Sequence, residues 1–142
     1  VTVPDELLDM LRGFERLRLN AYLCPAGVWT IGYGATGPEI GPGLVWTEEE
    51  ADARLQRDAA IAFTASQRLC PALSGDPLIA IADFCFNLGA TRLKASTLRR
   101  KVNAGDMAGD GEEIERWVYG GGIKLGGLVT RRKVEKAMLL AS

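Results

Sequence analysis

The chain contains no histidine. Ser-His-Asp and Cys-His hydrolysis are therefore excluded in their usual forms, because both need an imidazole as base. Only three cysteines are present, Cys24, Cys70 and Cys85, with no CxxC spacing among them. Without histidine or paired cysteines a structural zinc site has no ligand set, and an odd, sparse count does not make a disulfide framework. No metal and no organic cofactor is expected. No apolar run approaches the ~20 residues that span a bilayer, so stable membrane insertion is not expected. No export signal is visible either. The sequence opens at Val1, which leaves room for an export segment removed ahead of it. Internal repeats and low-complexity tracts are also missing.

What remains has the balance of a folded globular protein. With 142 residues, 47% apolar and 25% charged, the chain suffices for one domain with a single substantial core. A single domain over 1–142 is expected. The net charge of −1 conceals an asymmetry: residues 1–91 hold 6 basic and 12 acidic side chains, residues 92–142 hold 11 basic and 6 acidic. The basic part suits contact with an anionic polymer such as cell wall or nucleic acid, and equally suits two solvated helix faces of opposite sign.

Local patterns divide the chain. "VPDELLDMLRGFERL" opens with Pro4 and two acids, a helix start, and Leu7, Leu8, Leu11 and Phe14 recur at helical spacing. Glu15 follows at the end of that helix. "LNAYLCPAGVWTIGYG" then reads as two short strands around Cys24-Pro25-Ala26-Gly27, which fits a type I turn with Pro second and Gly fourth. Five glycines from Gly32 to Gly43 punctuate a loop or a third short strand. Thr47 and Glu50 have capping-box spacing and open a helix running to about Leu69.

"LIAIADFCFNLGA" is apolar on nearly every side, as a central buried helix must be, with Cys85 as a small core hydrophobe. Cys70 can be free or paired. "STLRRKVNAG" starts with a hydroxyl cap and ends on Gly105 as C′ residue. "EEIERWVYGGG" reads as a short helix, "GGGIKLGG" as a flexible connector, and "TRRKVEKAMLLA" as a last helix capped by Thr130. The expected class is α+β, with an N-terminal helix and a small antiparallel sheet beside a mostly helical body. A small lobe at about 16–46 is expected, with a helical lobe at about 47–142 that also takes the first helix. A cleft between sheet and helical body suits a long ligand.

Glu15, Cys24 and Thr30 are the candidates for chemistry. The helix end and the hairpin are neighbours in the chain, so the three can converge. A carboxylic acid beside a second polar group suits glycoside hydrolysis: one protonates the leaving oxygen, the other serves the opposite face of the sugar. Spacing alone is equally compatible with a solvated glutamate, a strand threonine and an inert thiol.

The wider context is more specific. "FERLRLNAYLCPAGVWTIGYGATG" resembles the active-site region of phage-type lysozymes, the endolysin family. Its members show a glutamate, an "L-x-A-Y" step, an aspartate or cysteine, a glycine turn and "T-I-G-Y-G". The likeness continues through "FCFNLGATRLKASTLRRKVNAGD" and "RWVYGGGIKLGGLVTRRKVEKAMLL", from about Leu7 to Leu140. This resemblance, to the cysteine-bearing branch, implies a lysozyme-like fold. It also implies a muramidase that cuts the β-1,4 bond between N-acetylmuramic acid and N-acetylglucosamine.

Carried over by position, Glu15 is the general acid, and Cys24 stands where most relatives have aspartate. Thr30 matches the threonine that helps hold the nucleophilic water. Asn87, with Phe86 beside it and Gly34 in the hairpin region, matches positions that bind substrate. Arg131 matches a basic residue that pairs with the catalytic glutamate. Glu15 must hold a proton when substrate covers it, whereas a guanidinium favours the ionised form, so Arg131 is expected to orient rather than activate. The implied partner is the peptidoglycan glycan strand, in the periplasm and cell wall of an infected host. Nucleic acid is not an expected partner, and a monomer is expected.

Cys24 carries three readings. As a thiolate it can serve as base, or attack the sugar directly and turn an inverting outcome into a retaining one. It can be a redox switch, caged in a disulfide and later released. It can also be a passive turn residue. Two departures from the family stand out. Gly34-Ala35-Thr36 replaces the usual "G-H-T", so stability rather than activity is expected to suffer. Arg16 stands where glycine commonly follows the glutamate, which implies an ordinary backbone there. Two rival functions remain: a wall-binding module of the same fold that has lost turnover, and a lytic transglycosylase that needs only the glutamate.

Overall fold

The computed structural model describes residues 2–141. Internal contacts group them into two compact units, Thr2–Ala60 and a second beginning at Ile61.

The first unit starts with helix α1 (Asp5–Phe14), entered from Pro4 with Asp5 and Glu6 in its first turn. Acids there complement the unpaired N–H groups of a helix start. Leu7, Leu8 and Leu11 are buried, as the spacing required, and Phe14 is half-buried. At Glu15 the backbone turns extended (φ −92°, ψ 124°), while its N–H still closes on Leu11 O at 2.8 Å. The chain thereby leaves the helix and enters strand β1 (Arg18–Leu23). Strand β2 (Trp29–Gly32) returns antiparallel to it, with Tyr22 opposite Thr30 and Leu23 opposite Trp29.

The connection has the predicted turn. Gly27 N–H donates to Cys24 O at 2.8 Å, and Cys24 N–H donates to Val28 O at 3.0 Å. Gly27 lies at φ +77°, the left-handed residue that closes a type I turn into a three-residue hairpin loop. Among the described residues no non-glycine has positive φ, so Arg16 sits in ordinary backbone as expected.

The glycine-punctuated run supplies a vestigial third strand. Ala21 N–H donates to Leu44 O, Trp46 N–H donates to Leu19 O, and Asn20 bridges Val45. Ile31, Ala35 and Ile40 form the small core of this sheet, flanked by Ala21, Trp29, Leu44 and Trp46.

Helix α2 (Glu48–Leu69) starts with the predicted capping box. Glu50 N–H donates to Thr47 Oγ1 and Thr47 N–H to Glu50 Oε1, both at 3.1 Å. Arg12 ties α1 to it through Asp52 at 2.6 Å. Arg54 holds the loop after β2, giving Nη2 to Thr36 O and Nη1 to Glu39.

The second unit is mostly helical: the end of α2, then α3 (Gly75–Leu88), α4 (Ala90–Ala95), α5 (Thr97–Asn103), α6 (Met107–Ile114) and α7 (Gly126–Leu139). Every residue of α3 from Leu78 to Cys85 is buried, as its all-round apolar sequence requires. Cys70 and Cys85 are free thiols within this core. Burial pushes the Cys70 thiol up to about 11 and raises Cys85 as well. Ser96 Oγ caps α5 by accepting Arg99 N–H, and Gly105 follows that helix at φ +74°.

Three boundaries differ from expectation. Residues 112–122 are not one helix: α6 begins earlier, at Met107, capped by Asp106, and ends at Ile114. The "GGGIKLGG" segment is not a loose connector. Strands β3 (Tyr119–Gly120) and β4 (Ile123–Lys124) pair there around Gly121 and Gly122, both at positive φ. Two consecutive left-handed residues make the tight hairpin turn whose twist suits paired strands. Thr130 does not cap α7, which starts one turn earlier at Gly126; its hydroxyl instead donates back to Gly126 O at 3.2 Å.

A small antiparallel sheet with a helical remainder is the expected α+β class. Among the described residues no helix is long and apolar enough to cross a membrane.

Candidate active site

Of the predicted residues, Glu15, Cys24, Thr30 and Gly34 lie in the first unit, and Phe86, Asn87 and Arg131 in the second.

Glu15 occupies the C-cap of α1 and is half-buried. Its carboxyl lies over the turn after β2, where a Cβ built on Gly34 would come within 3.2 Å of Oε2. Gly34 also has φ +82°, so only glycine both adopts this backbone without strain and leaves the carboxyl its place. Gly34, carried over as a substrate-binding position, thus lies against the carboxyl of Glu15. The next residue, Ala35, is buried and exchanges two backbone hydrogen bonds with Ile31, of 3.0 and 2.8 Å. Its small apolar side chain helps fill the sheet's core.

Thr30 and Cys24 come together across the hairpin. Thr30 is buried on β2, and its hydroxyl donates to Val28 O at 2.9 Å. Cys24 is half-exposed at the mouth of the turn. Its thiol is held below the ordinary range, chiefly by hydrogen bonding to the Val28 backbone, with smaller help from Ala26, the Thr30 side chain and Gly27, against the opposing effect of burial. The backbone of the turn therefore favours the charged form of the thiol. Thr30 has one proton, so it serves either Val28 O or the sulfur at a given moment. The participation of Val28 was not read from the sequence. It follows from the turn type, which aims the backbone of the fifth residue at the first.

In the second unit, Arg131 is buried and bidentate on Asp83, with Nε to Oδ2 at 2.8 Å and Nη2 to Oδ1 at 2.9 Å. Asn87 pairs with the adjacent Arg132, whose Nη2 donates to Asn87 Oδ1 at 2.7 Å. Arg132 also meets Glu135 at 2.6 Å and stands over the Phe84 ring at 5.2 Å. Burial first, and then hydrogen bonding to Asp83, raise the Glu135 carboxyl; two acids in such contact share a proton rather than both ionising. Phe86 is half-buried against the helical core.

Asp83, Arg132 and Glu135 were missed in the sequence reading. The available signal was a single acid inside the apolar run "LIAIADFCF", because a charge there must find a partner. Among the described residues no cluster of three or more cysteine, aspartate or glutamate side chains could hold a metal ion.

Residues 12–135 match the phage lysozyme family. A SAR-endolysin of Bacteriophage PS119 is 38% identical over 132 residues, covering 90% of this chain and 77% of its own length. An endolysin of Acyrthosiphon pisum secondary endosymbiont phage 1 is 37% identical, covering 96% of each. Among solved structures, the muramidase domain of SpmX from Asticaccaulis excentricus superposes with a TM-score of 0.88 at 30% identity, covering 99% of both chains. The endolysin from Escherichia coli O157:H7 phage FAHEc1 gives 0.87 at 28% identity, covering 99% of this chain and 94% of its own. A family match over nearly the whole chain leaves one conclusion: the chain belongs to the phage lysozyme family.

Proposed function

We propose that this chain, a peptidoglycan muramidase, cuts the β-1,4 bond between N-acetylmuramic acid and N-acetylglucosamine with Glu15 as general acid and Cys24 as base. The proton of Glu15 passes to the glycosidic oxygen as the C1–O bond breaks. A water oxygen bonds to C1 from the other face, and its proton goes to the Cys24 thiolate, so the anomeric centre inverts. Thr30 accepts a hydrogen bond from that water while its own proton is committed to Val28 O. Gly34, Phe86 and Asn87 contact the glycan. Arg131 orients the acid, and its fixed geometry on Asp83 suits that role. The site of action is the host cell wall, reached in the periplasm, by a monomer that needs no nucleic-acid partner.

The observation that carries this reading is the placement of Glu15. Its carboxyl packs on the Gly34 backbone of the same turn-and-hairpin region that bears Thr30 and Cys24, instead of extending away from the hairpin. Glu15→Gln keeps the shape and removes the transferable proton, and is expected to lower the hydrolysis rate on purified peptidoglycan by ~10²–10⁴-fold. Full activity in that variant overturns the assignment. For Cys24 the pH profile decides. A thiolate base makes kcat/KM climb with pH through a thiol titration below the ordinary range, and Cys24→Asp moves that limb towards acid. A profile identical in wild type and Cys24→Ser leaves Cys24 a turn residue.

A further inference from the structure

Resting on the reading that Asn87 contacts the glycan, we infer that Arg132 is a positioning residue that fixes the Asn87 carboxamide as a hydrogen-bond donor, matched to an acceptor oxygen such as the acetamido carbonyl of the sugar.

Arg132 is fully buried, and its guanidinium carries only donors. The group 2.7 Å from its Nη2 must therefore be the oxygen of Asn87, because the amide nitrogen would set donor against donor. A free asparagine can present either end of its amide. This one has its acceptor committed, and none of the hydrogen bonds given by the described residues takes its Nδ2 protons. Asn87 is only half-buried, in the last turn of α3, so those protons remain available to a ligand.

Arg132 cannot easily swing away. Glu135 meets its Nε at 2.6 Å, Trp117 O accepts from Nη1 at 3.4 Å, and the Phe84 ring lies beneath it. A donor-only amide discriminates. An acetamido carbonyl can only accept and pairs with it, whereas the ammonium of a de-acetylated amino sugar can only donate and is refused.

The test compares two substitutions whose stability and activity should rank in opposite orders. Asn87→Asp keeps an oxygen for Arg132, so its Tm should equal or exceed that of Asn87→Ala. It presents an acceptor to the sugar, so its kcat/KM on purified peptidoglycan should fall below that of Asn87→Ala. Asn87→Ala itself loses one hydrogen bond, roughly a 2- to 10-fold loss, seen mainly in KM.

Arg132→Gln, which frees the amide, should raise KM in the Asn87 chain and leave it unchanged when Asn87→Ala is already present. Co-sedimentation with insoluble peptidoglycan, run in the Glu15→Gln background, gives the same ranking as Kd and needs no turnover. Activity and Kd that simply follow Tm, or an Arg132→Gln cost that is equal in both backgrounds, overturn the inference. Should Arg132→Gln fail to fold, the two Asn87 variants still decide, because both keep Arg132 and its contacts with Glu135 and Phe84. Surviving turnover in Glu15→Gln strikes the general-acid assignment and leaves the Asn87 ranking to be read by Kd.

Discussion

The two units hold their polar groups by opposite means. Around Glu15 the backbone does the holding: a helix C-cap sets the acid, a left-handed glycine makes room for it, and turn amides serve the Cys24 thiol. Between α3 and α7 side chains hold one another. Asp83, Arg131, Arg132 and Glu135 are each between 0% and 5% exposed and meet one another through ion pairing and hydrogen bonds. The first arrangement leaves its carboxyl and thiol half-exposed. The second seals its charges in, where their loss is felt by the whole fold. The acid and the thiol belong to the accessible arrangement, and the sealed network steadies Arg131 and Asn87.

The largest effect on stability should come from breaking the sealed arrangement. Asp83→Ala removes the buried bidentate acceptor of the Arg131 guanidinium and is expected to cost about 3–5 kcal/mol of unfolding free energy, read by urea denaturation. A cost below ~1 kcal/mol, the range of an exposed pair, would erase the distinction between the two regions.

Gly34→Ala attacks the other region. A left-handed alanine costs roughly 1–2 kcal/mol, and its methyl meets Glu15 Oε2 at 3.2 Å. Displacing the acid by a fraction of an ångström should lower kcat about tenfold, since a ~1 Å error at a reacting group can cost 10²-fold. The expected sign is therefore a variant that folds well and works poorly. If its kcat stays at the wild-type value, the glycine is a turn residue and nothing more.

This contrast also explains what could be read from the sequence. Local backbone chemistry was legible: the Thr47–Glu50 box, the Ser96 cap and the Cys24–Gly27 turn all formed as their residue types demanded. Glu15 and Gly34 were assigned their roles only through resemblance, because a glutamate after a helix has no local signature. The network of α3 and α7 was not read, because its partners lie about 50 residues apart and only Asp83 betrays it.

The β3–β4 hairpin was hidden by its brevity. Two-residue strands show no alternation, and five glycines among residues 120–127 look like a linker. Thr130 misled because a threonine within the first turns of a helix can either cap it or bond back to the preceding turn. Gly126 and Gly127, poor helix formers, made the later start look better.

The smallest expected effect lies at the pair between these extremes. Arg12 and Asp52 meet at 2.6 Å, but their side chains are 33% and 34% exposed, so solvent screens the pair. Arg12→Ala should cost at most ~1 kcal/mol at neutral pH. The direction with pH follows from Asp52, whose carboxyl is held below its usual value first by the hydrogen bond from Arg12 and then by Gln56. A depressed folded-state carboxyl contributes stability above its unfolded pKa and loses it as pH falls through the folded one. The gap between wild type and Arg12→Ala should therefore close on acidification below the ordinary aspartate range. Unfolding curves of wild type and Arg12→Ala at neutral and acid pH read the change directly. A gap that stays constant or widens in acid would show that the Asp52 carboxylate does not carry the pair's contribution.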